Sequence, residues 1–218
     1  MAGVPSRRDL AKYSVNREGW EVIRQSLYDF QAYAAAGQST LNFFAVPVGQ
    51  SSKTLSDTNM VLAGILPANI EFLVQSIEVL FYPTVPAVTA QNPAVFGAQA
   101  VAAAVNDVAL VNRTGNLTFT IGSKPYLQEA PLGRLPAKTH LNVQAALSDV
   151  STAGASFQSR IAYAYSAGRP YLISPVDLWL TSTQNFSVAL NWPEGVQAIT
   201  NAGRIGVILD GLQYRRSQ

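Results

Sequence analysis

The sequence predicts an all-β fold, a sandwich of about eight antiparallel strands behind an N-terminal helical arm. Three observations carry this reading. From residue 39 onward, short apolar runs alternate with a period of two, as strands with one buried face do. Pro, Gly and Asn clusters separate those runs at uneven spacing, leaving several long connections. A clear helical period occurs only in residues 17–36.

Residues 1–16 are polar and basic, with Pro5 near the start, and read as an arm. In residues 17–36, Trp20, Ile23, Leu27 and Phe30 recur at helical spacing and fall on one helix face. Asn16 sits where an N-cap belongs, and Gly37 where the helix would stop. Residues 40–48 begin the β region, and residues 50–58 read as a loop. Residues 70–82 are the strongest strand. Ile77, Val79 and Phe81 share one face, and Val74, Leu80 and Tyr82 the other, so cover is expected on both. Residues 87–104 fit a short helix or a long loop equally well.

Residues 107–111 and 117–121 flank Asn112-Arg113-Thr114-Gly115 and read as two strands joined by a turn. Residues 122–139 are rich in proline and read as an extended loop. A weak run at 141–147 is followed by strands at 157–165, 176–180 and 186–192, the last with the cleanest alternation. Residues 204–214 close the sheet. Ile205, Val207 and Leu209 give way to Leu212 and Tyr214, and this change of phase at Asp210-Gly211 predicts a bulge. Irregular connections of this kind suit a Greek-key sandwich or a jelly roll better than an up-and-down barrel.

Composition bounds the function. Charged residues are 13% of the 218, and the net charge is +2, against roughly 25% charged in an ordinary soluble domain. Like-charge repulsion keeps monomers apart, so a weakly charged surface is expected to be buried against copies of the same chain. There is no cysteine and one histidine, His140. That removes disulfides, thiolate metal sites and thiol nucleophiles together. No Gly-x-Ser-x-Gly elbow stands beside His140, and no phosphate loop or dinucleotide fingerprint is present. Asp177, Glu194 and Asp210 lie near strand ends, but nothing selects two of them as an acid pair. The expectation is a protein that is not an enzyme, with no catalytic, metal or cofactor-binding residue and no small-molecule substrate. No apolar run approaches a membrane span, and residues 1–16 lack the apolar stretch of a secretory signal.

Two groups remain as candidate contact residues. Arg7, Arg8, Lys12 and Arg17 form a basic group near the start of the chain, suited to an anionic partner. The face formed by Trp20, Ile23, Leu27 and Phe30 could dock on a neighbouring subunit, on a lipid headgroup layer or on its own domain.

Several blocks in order carry a family resemblance. The segment from Asp29 to Gly37 runs into Leu41-Asn42-Phe43-Phe44-Ala45-Val46-Pro47-Val48-Gly49. Asp57-Thr58-Asn59-Met60, Gly64-Ile65-Leu66-Pro67 and the strand from Phe72 to Tyr82 follow. Phe186-Ser187-Val188-Ala189-Leu190-Asn191-Trp192 and Val207-Ile208-Leu209-Asp210-Gly211 come near the end. This ordering resembles the jelly-roll capsid proteins of small tailless icosahedral phages. The resemblance implies a jelly-roll domain over residues 39–218, behind an arm and amphipathic helix over residues 1–38. It implies a structural protein of the virion, made in the host cytoplasm, that assembles as trimers or pentamers within a shell. Its partners would be copies of itself, other capsid proteins and, through Arg7, Arg8, Lys12 and Arg17 of the arm, a genome or the anionic lipid of an internal membrane. Double jelly-roll tiles are usually longer than this chain, which fits one sandwich. A major capsid protein is favoured over a minor or vertex protein. The competing reading is a carbohydrate- or receptor-binding sandwich such as a spike or lectin-like module, with Tyr126, Tyr171 and Trp179 as its aromatics.

Overall fold

The computed structural model describes residues 20–84, 104, 106–148, 158–167, 170–173, 178–195 and 198–216, with the backbone alone for 139–148 and 158–167. Arg7, Arg8, Lys12 and Arg17 lie outside the described residues. The described chain is mostly antiparallel β-structure. Its strands are β1 (Trp20–Tyr33), β2 (Thr40–Phe43), β3 (Ile70–Pro83), β4 (Asn116–Ile121), β5 (Lys124–Glu129), β6 (Thr139–Ser148), β7 (Gln158–Ala167), β8 (Tyr171–Leu172), β9 (Leu178–Leu180), β10 (Phe186–Asn191) and β11 (Gly203–Arg216). Among the described residues one α-helix, α1, covers residues 106–114, and a 3-10 turn spans Leu132–Arg134.

Two sheets form the sandwich. The first runs β1-β11-β3, and both β8 and β9 pair the far edge of β3. The second runs β2-β10-β4-β5. The β6–β7 hairpin pairs only with itself. The core lies between the two sheets. Leu27, Phe72, Ile77, Val79, Val207 and Leu209 of the first face Phe43, Leu117, Phe119, Phe186, Val188 and Leu190 of the second in one continuous buried cluster. Trp192 seals one end, its ring edge-on to Tyr33 at 5.3 Å and its indole N–H donating to the Val111 carbonyl at 3.1 Å.

The alternation read at β4 and β10 is the alternation found, with every second residue buried. The N-terminal reading is corrected. Residues 20–33 form a strand, not a helix, and pair with β11 along their whole length. Within β1, Leu27, Asp29 and Tyr33 are buried, all on one face of the alternating strand, with Gln31 half-buried between the last two. Asp29 occupies an inward position, so the polar residue masked the period. A fourteen-residue ladder against β11 outweighs the weak helix preference of a segment this short. The supposed single face is therefore split. By strand alternation Ile23 and Leu27 point to the core side, and Trp20 and Phe30 to the outside of the sheet.

A second correction concerns residues 107–111, which belong to α1 rather than to a strand. Ala104, Asp107 and Val111 are buried at helical spacing. Gly115 follows the helix for reasons of packing, since a Cβ there would sit 2.5 Å from Leu132 Cδ1 and 2.7 Å from Trp192 Nε1. A third concerns β5, an edge strand hidden by Pro125, whose missing N–H is tolerated at a sheet edge. The bulge lies where it was read, at Asp210-Gly211, but the extra residue belongs to the partner strand. The register steps from Asp210↔Ser76 to Gly211↔Val74, so the extra residue is Gln75 of β3. The alternation of β11 is unbroken. Leu212 and Tyr214 belong to its outer face, where they pack with Leu73, Trp20 and Trp179 in a second cluster.

Candidate functional site

The chemistry-bearing groups of the described residues are spent on holding loops. Three carboxylates are buried: Asp29, Glu78 and Asp107. Each accepts backbone N–H groups from a connection that must cross the sandwich. Asp107, on α1, accepts from the amides of Thr200 at 2.8 Å and Asn201 at 2.9 Å, fixing the approach to β11. Glu78, on the outer face of β3, accepts from the Lys138 amide at 2.7 Å. Asp29 accepts from the Phe44 amide at 2.6 Å and pairs with the Lys53 ammonium. Phe44 is fully buried with φ of 66°, a left-handed conformation that costs a bulky residue about 1–3 kcal/mol. The Asp29 carboxylate holds it there.

Asp29 opens a longer clamp. The β2–β3 loop lies along the free edge of β1. The Phe30 amide donates to the Asp57 carbonyl at 2.8 Å. Thr58 donates its hydroxyl to the Tyr28 carbonyl at 3.0 Å. Asn59 imitates a strand residue: its Oδ1 accepts from the Tyr28 amide at 3.0 Å and its Nδ2 donates to the Ser26 carbonyl at 2.8 Å. Arg204 ties the loop to β11 through Asp57 at 2.8 Å, and its guanidinium lies 4.5 Å from the centre of the Phe30 ring. Phe30 in turn covers Gly206, its cross-strand partner, where any Cβ would strike the ring. The Asp57–Met60 block thus acts as an edge guard, and Gly64 completes the loop by bonding Phe44 and Phe186 through its backbone. Leu55 and Val61 stand out from this pinned loop, both well exposed.

The sequence candidates scatter. Asp210 lies on the outer face and pairs with Arg24 and Lys138. Glu194 sits in an exposed turn after β10, and Asp177 is outside the described residues. His140 lies in β6 opposite Ser166. Tyr126 is 54% exposed on the edge strand β5, whereas Trp179 packs on Tyr214 at 4.9 Å. Among the described residues no group of three or more His, Asp or Glu side chains could hold a metal ion, and no helix is long and apolar enough to cross a membrane. Sequence reasoning missed the three buried carboxylates. The signal available for Asp29 was its place in the series Leu27, Asp29, Gln31, Tyr33.

Burial raises the Glu78 carboxyl above the ordinary glutamate value, and nearby Asp210 adds to the shift against the opposing pull of Lys138. The folded state therefore favours the protonated form. The stability this group contributes is complete below its unfolded pKa and is lost as pH rises through the raised folded value. Glu78→Gln keeps an oxygen for the Lys138 amide and removes that loss. The variant's melting temperature should gain on the parent's as pH rises from about 4 to 8. A constant difference across that range would show the burial effect to be absent.

Comparison with protein-family models, with curated proteins and with solved structures finds no match.

Proposed function

We propose that the sandwich is a single jelly roll and that the chain is a self-assembling structural subunit of an icosahedral viral shell, the principal tile rather than a vertex component. The observation that carries this reading is the order of strand pairing. β1 pairs β11, β2 pairs β10, β3 pairs β9 and β8, and β4 pairs β5. First with last, second with second-last and so inward to the β4–β5 hairpin is the pattern of a long two-stranded ribbon doubled at Gly122, with the β6–β7 pair inserted between β5 and β8. Successive pairs alternate between the two sheets, as they do when such a ribbon is wrapped around a core. The β11–β3 and β10–β4 ladders then join neighbouring turns of the wrap. Two interlocked Greek keys of this kind define the jelly roll.

Fold alone does not assign a role. The functional part rests on the resemblance to phage capsid proteins, on a 13% charged composition suited to burial between copies, and on loops pinned by buried carboxylates. Pinned loops suit tiling, because a contact surface that is already ordered loses little entropy on association. Electron microscopy and light scattering of the purified protein test the reading. Trimers, pentamers or closed shells are the expected result, with this chain accounting for the facets of native particles. A strict monomer that binds glycans would overturn it in favour of the receptor-binding sandwich.

A further inference from the structure

Among the described residues the edge of β1 is guarded over only half its length. Tyr28 and Phe30 direct their amides away from β11, toward Asn59 and Asp57. Strand alternation therefore directs the amides and carbonyls of Val22 and Arg24 to that same free side. The loop ends its cover at Ser26, whose carbonyl Asn59 takes. Among the described residues nothing pairs with the backbone of Val22 or Arg24 on that side. What remains is a short window of extended backbone, open at one end of the sheet and closed at the other by Asn59. An open ladder of this sort fits one kind of partner, another extended strand.

We infer that two copies of this chain pair edge to edge through β1, antiparallel about a two-fold axis at Ile23. The inference rests on the self-assembly reading for the identity of the partner, and the geometry supplies the register. Edge-facing residues must meet edge-facing residues. With Ile23 opposite its own copy, Val22 meets Arg24 of the partner copy and Arg24 meets Val22, so every open amide and carbonyl of the window is used. Glu21 falls opposite Gln25. Shifting the axis to Arg24 would set two guanidinium groups against each other. The side chains agree with this register. Val22, 38% exposed on the outer face, gains cover from the aliphatic stem of the opposing Arg24. Arg24 keeps its own partner Asp210 at 3.3 Å, on its own subunit. The pairing joins two sheets into one, and Asn59, which holds the Ser26 carbonyl, limits the new ladder to residues 21–25 in each copy.

The chain has no cysteine, so one introduced thiol reads the register. Ile23 opposite Ile23 is a non-hydrogen-bonded pair, with Cα atoms about 4.5 Å apart, within disulfide reach. Full-length Ile23→Cys should form a covalent dimer on mild oxidation. Gln25→Cys, whose copies would lie about 13 Å apart, should not. Val22→Pro deletes an edge amide that the fold does not use and should shift the protein toward monomer in sedimentation at concentrations where the parent dimerises. If Val22→Pro fails to fold, the two cysteine variants decide. Assembly that leaves Ile23→Cys unlinked would sink the edge pairing and leave the self-assembly reading standing. A monomer at every concentration would sink both.

Discussion

Replacing Asp29 with alanine should cost about 3–5 kcal/mol of folding stability and release the β2–β3 loop from the sheet. The carboxylate is fully buried and serves two partners, the Phe44 amide and the Lys53 ammonium, which is itself largely enclosed. Removing it leaves a buried amide without an acceptor and a cation without its counter-charge. Burial pushes the Asp29 carboxyl above its ordinary value in spite of both partners, so desolvation is the larger effect. The ion pair therefore gives little net stability relative to an apolar replacement, yet breaking it from one side is expensive. The double variant Asp29→Leu/Lys53→Met should recover part of the loss. Full recovery is not expected, because the Phe44 amide stays unpaired. Denaturant melts measure the stability, and limited proteolysis within residues 44–69 reports release of the loop. A loss below about 1 kcal/mol for Asp29→Ala would contradict the clamp.

Gly211→Ala should be as damaging by a different route. A Cβ at this position would overlap the carbonyl oxygen of Leu73, a backbone atom that no rotamer change can move aside. The clash lies where the register of β11 against β3 steps past Gln75. Relief requires β11 and β3 to separate locally, and overpacking of this severity costs about 3 kcal/mol or more. Gly122 offers the comparison. It has φ of 62° at the β4–β5 turn, and a Cβ added there would meet nothing within 4 Å, so Gly122→Ala should cost only about 1–2 kcal/mol. Equal losses at the two positions would show that backbone conformation, not close approach, is what Gly211 serves.

How much of this was legible depended on whether one face of a strand stayed apolar. β4 and β10 carry a strict apolar-in, polar-out alternation and could be read directly. β3 is buried on both faces, and its near-continuous apolar run identified the strand while hiding the extra Gln75. β1 failed for the opposite reason. Its inward positions include Asp29 and Gln31, placed there to receive a loop, so the local pattern imitated a helix. In α1 the valines pulled the reading toward a strand, and the buried Asp107 makes sense only beside Thr200 and Asn201, far off in sequence. The loop-fixing acids were invisible because their partners are backbone amides, which leave no trace in side-chain type. The open edge at Val22 and Arg24 could not be read at all before the strand itself was known.

The pairing of β1 with β11 also sets a timetable for synthesis. The first described strand has no sheet to join until the last has left the ribosome. At roughly 5–20 residues per second, the stretch between Tyr33 and Gly203 takes about 10–30 s to emerge. During that interval β1 is a long, partly apolar strand with both edges unpaired, the kind of segment that chaperones hold. The same delay keeps the finished first sheet from existing on a growing chain. Under the proposed shell role, assembly would then begin only between chains that have released β11, and nascent copies on a polysome would not join it.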